Sequence, residues 1–545
     1  MRLIVIRMFE KKYWEKESFL LLILICICLI LFFYGLGIGP MGDIDEAMHA
    51  STSKDMVLSQ DWVTPRYNGE NFFDKPPLHN WLVAISLAAF GFHEFAARLP
   101  AALLGLGCVV ITYWLGRRMF GPPAAFLSAL VLATSAEFII LSRVVVHDIS
   151  LVFFDTLALT LFFIGYQHRR RRKTAFLAGY AALGGAVLAK GPVGLAIPLM
   201  IIGLFLIYKK DLRFIRKMQL PWGIIIFLAV AAPWYILISL RNPEYTEYFF
   251  LKQNIGNFLS GEARHPRPFY YYIPVLLGGL FPWSPFLPLA IWSAFRKRSA
   301  EIGDGLIFAL IWFGTVLLFF SAASSKLGTY ILPLFPAASL LMGALWNDLI
   351  HRAERALHKG VLFSHLPLAV MAPLALIWVL FFPPGALTAE SSIKMSWIYL
   401  AGAWLAVCTS ISLVLAAGRK YRAFVGSMAA MAATLFLMFL ILVVPVLGPN
   451  ISGKELALRL DKLMAPGDSI TFYLKARASF LFYTDRRAEL LQNPGQLQDY
   501  INSPERVYCV FKQDDWEDVE NLHDGMQIVA QVGDKLIVTN KRSGS

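Results

Sequence analysis

FLLLILICICLILFFYGLGI, residues 19–38, is a twenty-residue run without one charged side chain. At ~1.5 Å of rise per residue a helix of that length crosses the ~30 Å hydrocarbon core of a bilayer. It follows Lys11, Lys12 and Lys16, and no small-residue cleavage site comes after it, so it reads as a retained anchor and not as a signal peptide. Working outward, runs of the same kind recur near 96–116, 123–141, 149–166, 175–190, 192–208, 220–240, 270–293, 304–323, 329–347, 361–382, 395–417 and 424–447. The pattern predicts a polytopic α-helical membrane protein of about thirteen transmembrane helices. Composition agrees: 57% of the 545 residues are hydrophobic and 16% are charged, whereas soluble domains carry ~25% charge. Disordered, collagenous, coiled-coil and water-soluble multidomain classes are excluded.

The segment 78–91, LHNWLVAISLAAFG, is apolar but short, and charge parity decides its reading. If it does not span, the basic clusters at 1–18, Arg117–Arg118, Arg169–Lys173, Lys209–Lys217, Arg296–Arg298, Arg352–Lys359 and Arg419–Arg422 all fall on the side of the amino terminus. That is the lysine and arginine bias expected of cytoplasmic loops. Counting 78–91 as a span would put those clusters outside, so it reads as an interfacial or re-entrant helix. The amino terminus is then inside and the carboxyl terminus outside. The net charge of +13 is explained by the same clusters. None is interleaved with aromatics as a nucleic-acid platform requires. Cys26, Cys28, Cys108 and Cys408 lie in apolar runs, and with Cys509 they form neither a disulfide framework nor a CxxC metal pair.

From Ser452 onward charged residues return, and β-rich runs appear at 469–474, 506–512 and 526–532 with helical patterns at 453–464 and 494–502. This predicts a small α/β domain over 448–545, outside the membrane, after a membrane module over 1–447. Its acids Asp514, Asp515, Glu517 and Asp518 read as a solvated face, since they lack the spaced oxygens and turn glycine of a calcium loop.

The external segment 39–95 is too long for a connector. It carries Asp43, Asp45 and Glu46 within four residues, then Arg66, then Asp74 and Lys75 held by Pro76 and Pro77. Other external loops add Arg143, His147 and Asp148; Lys190; Arg264, His265 and Arg267; and Lys326 and Tyr330. Each taken alone reads equally well as a membrane-edge anchor, a helix cap or part of an aromatic belt. Together they are a set of cations with a few carboxylates at one membrane face, where ionisable groups are costly and point to function. Cations there suit the phosphate of a lipid-linked head group, and a facing carboxylate suits a general base acting on a hydroxyl. Departure of a sugar from such a phosphate can be stabilised by lysine and arginine without a divalent metal.

IDEAMHAS (44–51), DWVTPRYNGENFFDKPPL (61–78), SRVVVHDISLVFF (142–154), LAKGPVGLAIP (188–198), RHPRPFYYYIPVLLGGLFPW (264–283) and SSKLGTYILPLFP (324–336) resemble the bacterial membrane glycosyltransferases of the GT-C class. Within it they come nearest the 4-amino-4-deoxy-L-arabinose lipid A transferases and their protein-mannosyltransferase-like relatives. The resemblance covers about residues 40–340, and D-W-V-T-P-R-x-N-G followed by K-P-P-L is its most specific part. It implies about thirteen spans, a periplasmic carboxyl-terminal α/β domain, a polyprenyl (undecaprenyl) phosphate sugar donor and inverting transfer at the periplasmic face of the bacterial inner membrane. It also implies that Asp45 is the catalytic acid of the first loop and Asp148 a second external carboxylate. Lys75 and Arg267, with Lys190 and Lys326, would bind the donor phosphate. Tyr330, with Asp43, Glu46, Arg66, Asp74 and His265, would line the substrate cavity. Met48 stands where the aminoarabinose group has an arginine, and Phe72-Phe73-Asp74 replaces its Tyr-Phe-Glu, which leaves sugar and acceptor open between lipid A and a protein or surface-glycan hydroxyl. No cofactor is required. Asp74 and His265 would supply two of the four ligands of a structural zinc. The rival readings are a lipid flippase or transporter, although no half-repeat is evident, and another lipid-linked glycosyl enzyme. The oligosaccharyltransferase signature is not met by Asp514-Asp515-Trp516, whose order is reversed.

Overall fold

The computed structural model describes residues 17–43, 45–249, 266–296, 303–352, 355–381, 395–465, 467–475, 477–484 and 486–540. Elements used below are α1 (Glu17–Cys28), α2 (Asp45–Ser59), β1 (Arg66–Tyr67), β2 (Glu70–Asn71), α3 (Leu78–Phe90), α4 (Glu94–Phe120), α5 (Pro122–Ala133), α6 (Ala136–Leu141), α7 (His147–Gln167) and α8 (Arg172–Lys190). There follow α9 (Phe335–Arg352), α10 (Tyr421–Met438), α11 (Lys454–Leu463), β3 (Ser469–Tyr473), α12 (Ala478–Tyr483), β4 (Glu489–Leu491), α13 (Pro494–Ile501), β5 (Val507–Lys512), β6 (Gln527–Val532) and β7 (Lys535–Thr539). Compactness divides the chain otherwise than composition does. One unit holds 1–36, 73–79 and 99–439, and the other holds 37–72, 80–98 and 440–545.

The first unit is helical and polytopic. Among the described residues eight helices are long and apolar enough to span a bilayer, and a bent pair raises the number to nine. Part of the difference from thirteen lies in short helices such as Val193–Tyr208, of 16 residues, and part where the chain breaks an apolar run. The run 123–141 is divided between α5 and α6, with Thr134 and Ser135 between them. The run 270–293 becomes two helices, Phe269–Gly279 and Ser284–Arg296, bent by 120°; Gly278, Gly279 and Pro282 sit at the break. The run 19–38 is α1 continued by a π-helical turn, Leu29–Phe33. At thirteen residues α3 is only ~20 Å long, short of a ~30 Å core.

Helices in lipid gain little from hydrophobicity and associate where small side chains let backbones close up. Such contacts hold this unit together. A Cβ added to Gly343 of α9 would lie 2.0 Å from Ser128 Oγ and 2.6 Å from Ser128 N of α5, and one at Gly185 of α8 would lie 2.6 Å from the ring of Phe154 in α7. Trp283, Trp312 and Trp346 are wholly buried. Trp283 Nε1 donates to Thr134 Oγ1 at 3.0 Å and Trp312 Nε1 to the Pro333 carbonyl at 2.9 Å, so the polar edges of these two are satisfied inside an apolar core, while Trp346 Nε1 has no hydrogen-bond partner among the described residues.

The second unit is built on a five-stranded sheet of order β4-β3-β5-β7-β6. β3 runs parallel to β4 and β5, while β7 is antiparallel to β5 and β6. Period-two alternation makes both faces of the central strands apolar. Ile470, Phe472, Tyr508, Val510 and Ile537 pack on one side with Leu456, Leu460 and Phe480. Tyr473, Cys509, Phe511, Leu536 and Val538 pack on the other with Leu497 and Trp516. The first loop belongs to this unit: Lys54 Nζ of α2 donates to the Phe482 carbonyl at 2.8 Å, and the Asn68 amide bonds both backbone groups of Ala488.

Because α5 and α9 touch at Gly343, Gly343→Val is expected to lower the stability of the purified protein by about 1–3 kcal/mol, the usual cost of overpacking. Gly203→Val, at a position with nothing within 4 Å, should leave it unchanged. Thermal unfolding of the two variants in detergent checks this.

Candidate functional site

α7 and α8 are neighbours in a hairpin, joined by the Arg169–Arg171 turn, so the start of α7 meets the end of α8. Asp148 lies in the first turn of α7 and Lys190 is the last residue of α8. Each stands where the helix dipole favours its charge. Gly191, at φ +79°, terminates α8 immediately after the lysine. Lys190 Nζ lies 2.5 Å from Asp148 Oδ1, and both residues are less than a tenth exposed. The ring of Tyr330, from the 3₁₀ turn Gly328–Leu334, sits 4.2 Å from the same ammonium. Burial of a pair strengthens its electrostatics and makes either partner expensive to lose.

Around this pair lie groups that the sequence reading passed over. His79 Nδ1 is 2.8 Å from Ser150 Oγ, and its ring is 5.0 Å from that of His147. Asp155 follows Asp148 by seven residues, hence on the same helix face. It is 1% exposed, with neither carboxylate oxygen hydrogen-bonded, and it feels the charge of Lys190. Glu137 of α6 senses the charge of Asp148. The seven-residue spacing was a signal for Asp155. Glu137 and His79 sit in apolar runs that carry none.

The remaining cations of this unit divide by what holds them. Lys75 is half-buried and its neighbours are anchored: the Phe73 ring is edge-on to Tyr245 at 5.3 Å, and Tyr248 Oη donates to Asp74 Oδ1 at 2.6 Å. Lys326 is buried, and its ammonium donates to the carbonyls of Arg267, at 3.1 Å, and Ala323. It thereby fixes the strand-like bridge between Pro266 and Ser325. Arg267 itself is exposed, its guanidinium 5.8 Å from the Tyr271 ring. Arg143, part of the external cationic set in the sequence, donates to the Leu31 carbonyl at 2.9 Å and lies over Phe436, a packing role.

In the second unit the three clustered acids separate. The Asp43 carboxylate accepts from Ser479 N at 2.9 Å and from Ser479 Oγ, at the start of α12, with Arg477 at 3.7 Å. Glu46 is gripped at both oxygens by Arg98, at 2.7 and 3.0 Å, and also accepts from Gly42 N. Arg98 donates in addition to the carbonyls of Ile38, Gly39 and Pro40. Asp45, between them, is exposed at the first residue of α2. Arg66 pairs with Asp61 at 3.0 Å, and its charge acts on Asp55, whose carboxyl burial pushes upward.

Among the described residues no group of three or more histidines, cysteines or acids is arranged to hold a metal ion. His265 and Arg264 lie outside the described residues, so the two-ligand zinc suggestion rests on Asp74 alone, which is engaged with Tyr248.

A family model described as dolichyl-phosphate-mannose-protein mannosyltransferase matches residues 74–237. An undecaprenyl phosphate-alpha-4-amino-4-deoxy-L-arabinose arabinosyl transferase of Aeromonas salmonicida (strain A449) is 34% identical over 350 residues, 62% of each chain. Its namesake in Edwardsiella ictaluri (strain 93-146) is 32% identical over 339 residues, 61% of this chain and 60% of that one. The chain thus spans about 62% of the length of the curated relatives it matches. Among solved structures, the crystal structure of ArnT from Cupriavidus metallidurans bound to undecaprenyl phosphate superposes with a TM-score of 0.81 at 25% identity, covering 96% of this chain and 98% of that one. The archaeal oligosaccharyltransferase AglB from Archaeoglobus fulgidus shares the fold at a TM-score of 0.52 and 13% identity, covering 93% of this chain and 70% of its own.

The geometry separates a half-buried, paired acid from an exposed one, and stability measures the difference. Arg98→Met, which strands the Glu46 carboxylate, is expected to cost about 3–5 kcal/mol. Asp45→Asn should stay within about 0.5 kcal/mol of the parent, as exposed positions do. Denaturation of the purified variants reads both.

Proposed function

We propose that this multi-pass membrane protein, which resembles the GT-C glycosyltransferases of the 4-amino-4-deoxy-L-arabinose transferase group, moves a sugar from a polyprenyl phosphate to lipid A. The observation that carries the reading is the likeness in fold, over 96% of the chain, to a structure that holds undecaprenyl phosphate. The buried Asp148–Lys190 pair is the chemistry that agrees with it.

In this reading the donor is an undecaprenyl-phosphate sugar whose phosphate is met by Lys75, Lys190 and Arg267. Attack by the acceptor oxygen forms the new glycosidic bond at the anomeric carbon, with inversion. The bond from that carbon to the phosphate oxygen breaks, and the electron pair leaves on undecaprenyl phosphate. Cations placed at that phosphate stabilise the charge as it develops. Asp148 holds the Lys190 ammonium in place, and Tyr330 faces it from the ring side. Lys326 contributes by fixing the backbone of Arg267. Asp45 acts on the acceptor: a lipid A phosphate is already ionised and needs only orientation, while a hydroxyl needs a base. No cofactor takes part. Thirteen spans, an inside amino terminus and an outside carboxyl-terminal region in the bacterial inner membrane complete the proposal, and they rest on the basic clusters along the sequence.

The test is reconstitution of the purified protein with undecaprenyl-phosphate aminoarabinose and lipid A, read by mass spectrometry of the lipid A. Parent protein should add the sugar. Asp45→Asn and Lys190→Met should lose about 10²–10⁴-fold in rate, with Asp45→Asn still folded and inserted. Transfer to a protein or glycan hydroxyl alone would replace the acceptor, and lipid flipping without transfer would overturn the reading.

A further inference from the structure

A cavity of about 290 Å³ opens within the helical unit, lined by neither Asp148 nor Lys190. Its walls are contributed by α1, α5 and α10, among them Ile23, Phe126, Gly426, Ala430 and Ala433, with Arg422 at one end. The lining is apolar apart from Arg422 and Thr134, and its size is that of a ligand pocket. Small residues three and four apart on a membrane helix normally let a neighbouring helix close against it. Here α10 presents such a row, and the large side chains of α1 and α5 hold the helices apart. The lining atoms then have no packing partners on one side, a loss of dispersion that protein interiors rarely tolerate. In a bilayer the group at hand to restore those contacts is a hydrocarbon chain.

The charged end states what the chain is attached to. Arg422 lies in the first turn of α10, directly after Arg419 and Lys420. Leu20, also lining the cavity, follows closely on Glu17, which is paired at 2.5 Å with Arg117 at the end of α4. Arg118 follows Arg117. Among the described residues Arg117, Arg118, Arg419, Lys420 and Arg422 thus stand at helix ends, with Glu17 paired to Arg117. Basic pockets between membrane helices bind anionic head groups.

We propose that this cavity is a site for an anionic glycerophospholipid, one acyl chain lying between α1, α5 and α10 and its phosphate on Arg422. The site belongs to the scaffold and takes a structural lipid, so it stands apart from the donor and acceptor of the transfer reaction.

The experiment uses the full-length protein in mild detergent, equilibrated with phosphatidylglycerol, phosphatidylcholine or undecaprenyl phosphate, with bound lipid counted by native mass spectrometry. Phosphatidylglycerol should be retained about fivefold over phosphatidylcholine, the preference one basic contact gives. Arg422→Gln should bring that ratio toward one. Ala430→Phe should expel the lipid by filling the cavity from α10, and Ile23→Trp should do so from α1, which keeps the test intact where one variant fails to fold. Equal retention of the two phospholipids overturns the proposal. So does displacement of phosphatidylglycerol by an equal amount of undecaprenyl phosphate, or parent-level lipid in both filled variants.

Discussion

A lysine and an aspartate meet at 2.5 Å with almost no water around them, and much of the helical unit is arranged so that they can. Taking both charges out of water costs several kcal/mol per ion in a real protein, and the attraction between them offsets this only when the geometry is good. That geometry comes from a hairpin. α7 must carry the aspartate in its first turn and α8 must end with the lysine, and the crossing must be tight enough to match their ends. Gly185 against Phe154 supplies the closeness, and Gly191 ends α8 at the required residue. An apolar pair would serve stability as well or better, so the ion pair is a cost accepted for what it can do.

The same unit shows how a membrane protein assigns its cations. Arg143 and Lys326 are buried, and each gives protons to main-chain carbonyls: Leu31 for the first, Arg267 and Ala323 for the second. In hydrocarbon an unsatisfied carbonyl costs several kcal/mol, so these side chains secure irregular backbone. Lys190 differs in kind, because it meets a carboxylate and an aromatic face, neither of them main chain. Arg98 is the counterpart of Arg143 in the second unit, closing the turn at 38–40 while holding Glu46.

What the sequence made legible follows from how local the cause is. Apolar runs, basic clusters and the period-two runs at 469–474 and 506–512 are read within a few residues, and helices and the strands β3 and β5 stand there. Breaks inside a run, as at Thr134 and Ser135, depend on packing and were not visible. The acids at 43, 45 and 46 looked equivalent because the partners that distinguish them are remote: Ser479 is 436 residues from Asp43, and Arg98 is 52 from Glu46. β7 was missed although Lys535–Thr539 is buried along its length, because a five-residue run after a turn gives a weak signal. Asp155 could have been found by counting seven from Asp148. The joining of 37–72 with 440–545 in one unit could not have been found at all, since composition changes at Ser452 while the contacts do not respect that change.

That joining bears on Asp45. An exposed acid on a surface loop would sample many positions and would serve poorly to orient a reactant, since a displacement of ~1 Å can cost ~10²-fold in rate. Here Asp43 is tied to the start of α12 and Glu46 to Arg98, while Asp45 is exposed at the first residue of α2. Asp43 and Glu46, cavity-lining acids in the sequence reading, are thus engaged within the second unit, Asp43 with the start of α12 and Glu46 with Arg98. A region that composition marks as an appendage therefore shares one compact unit with the first loop and bonds to its acids.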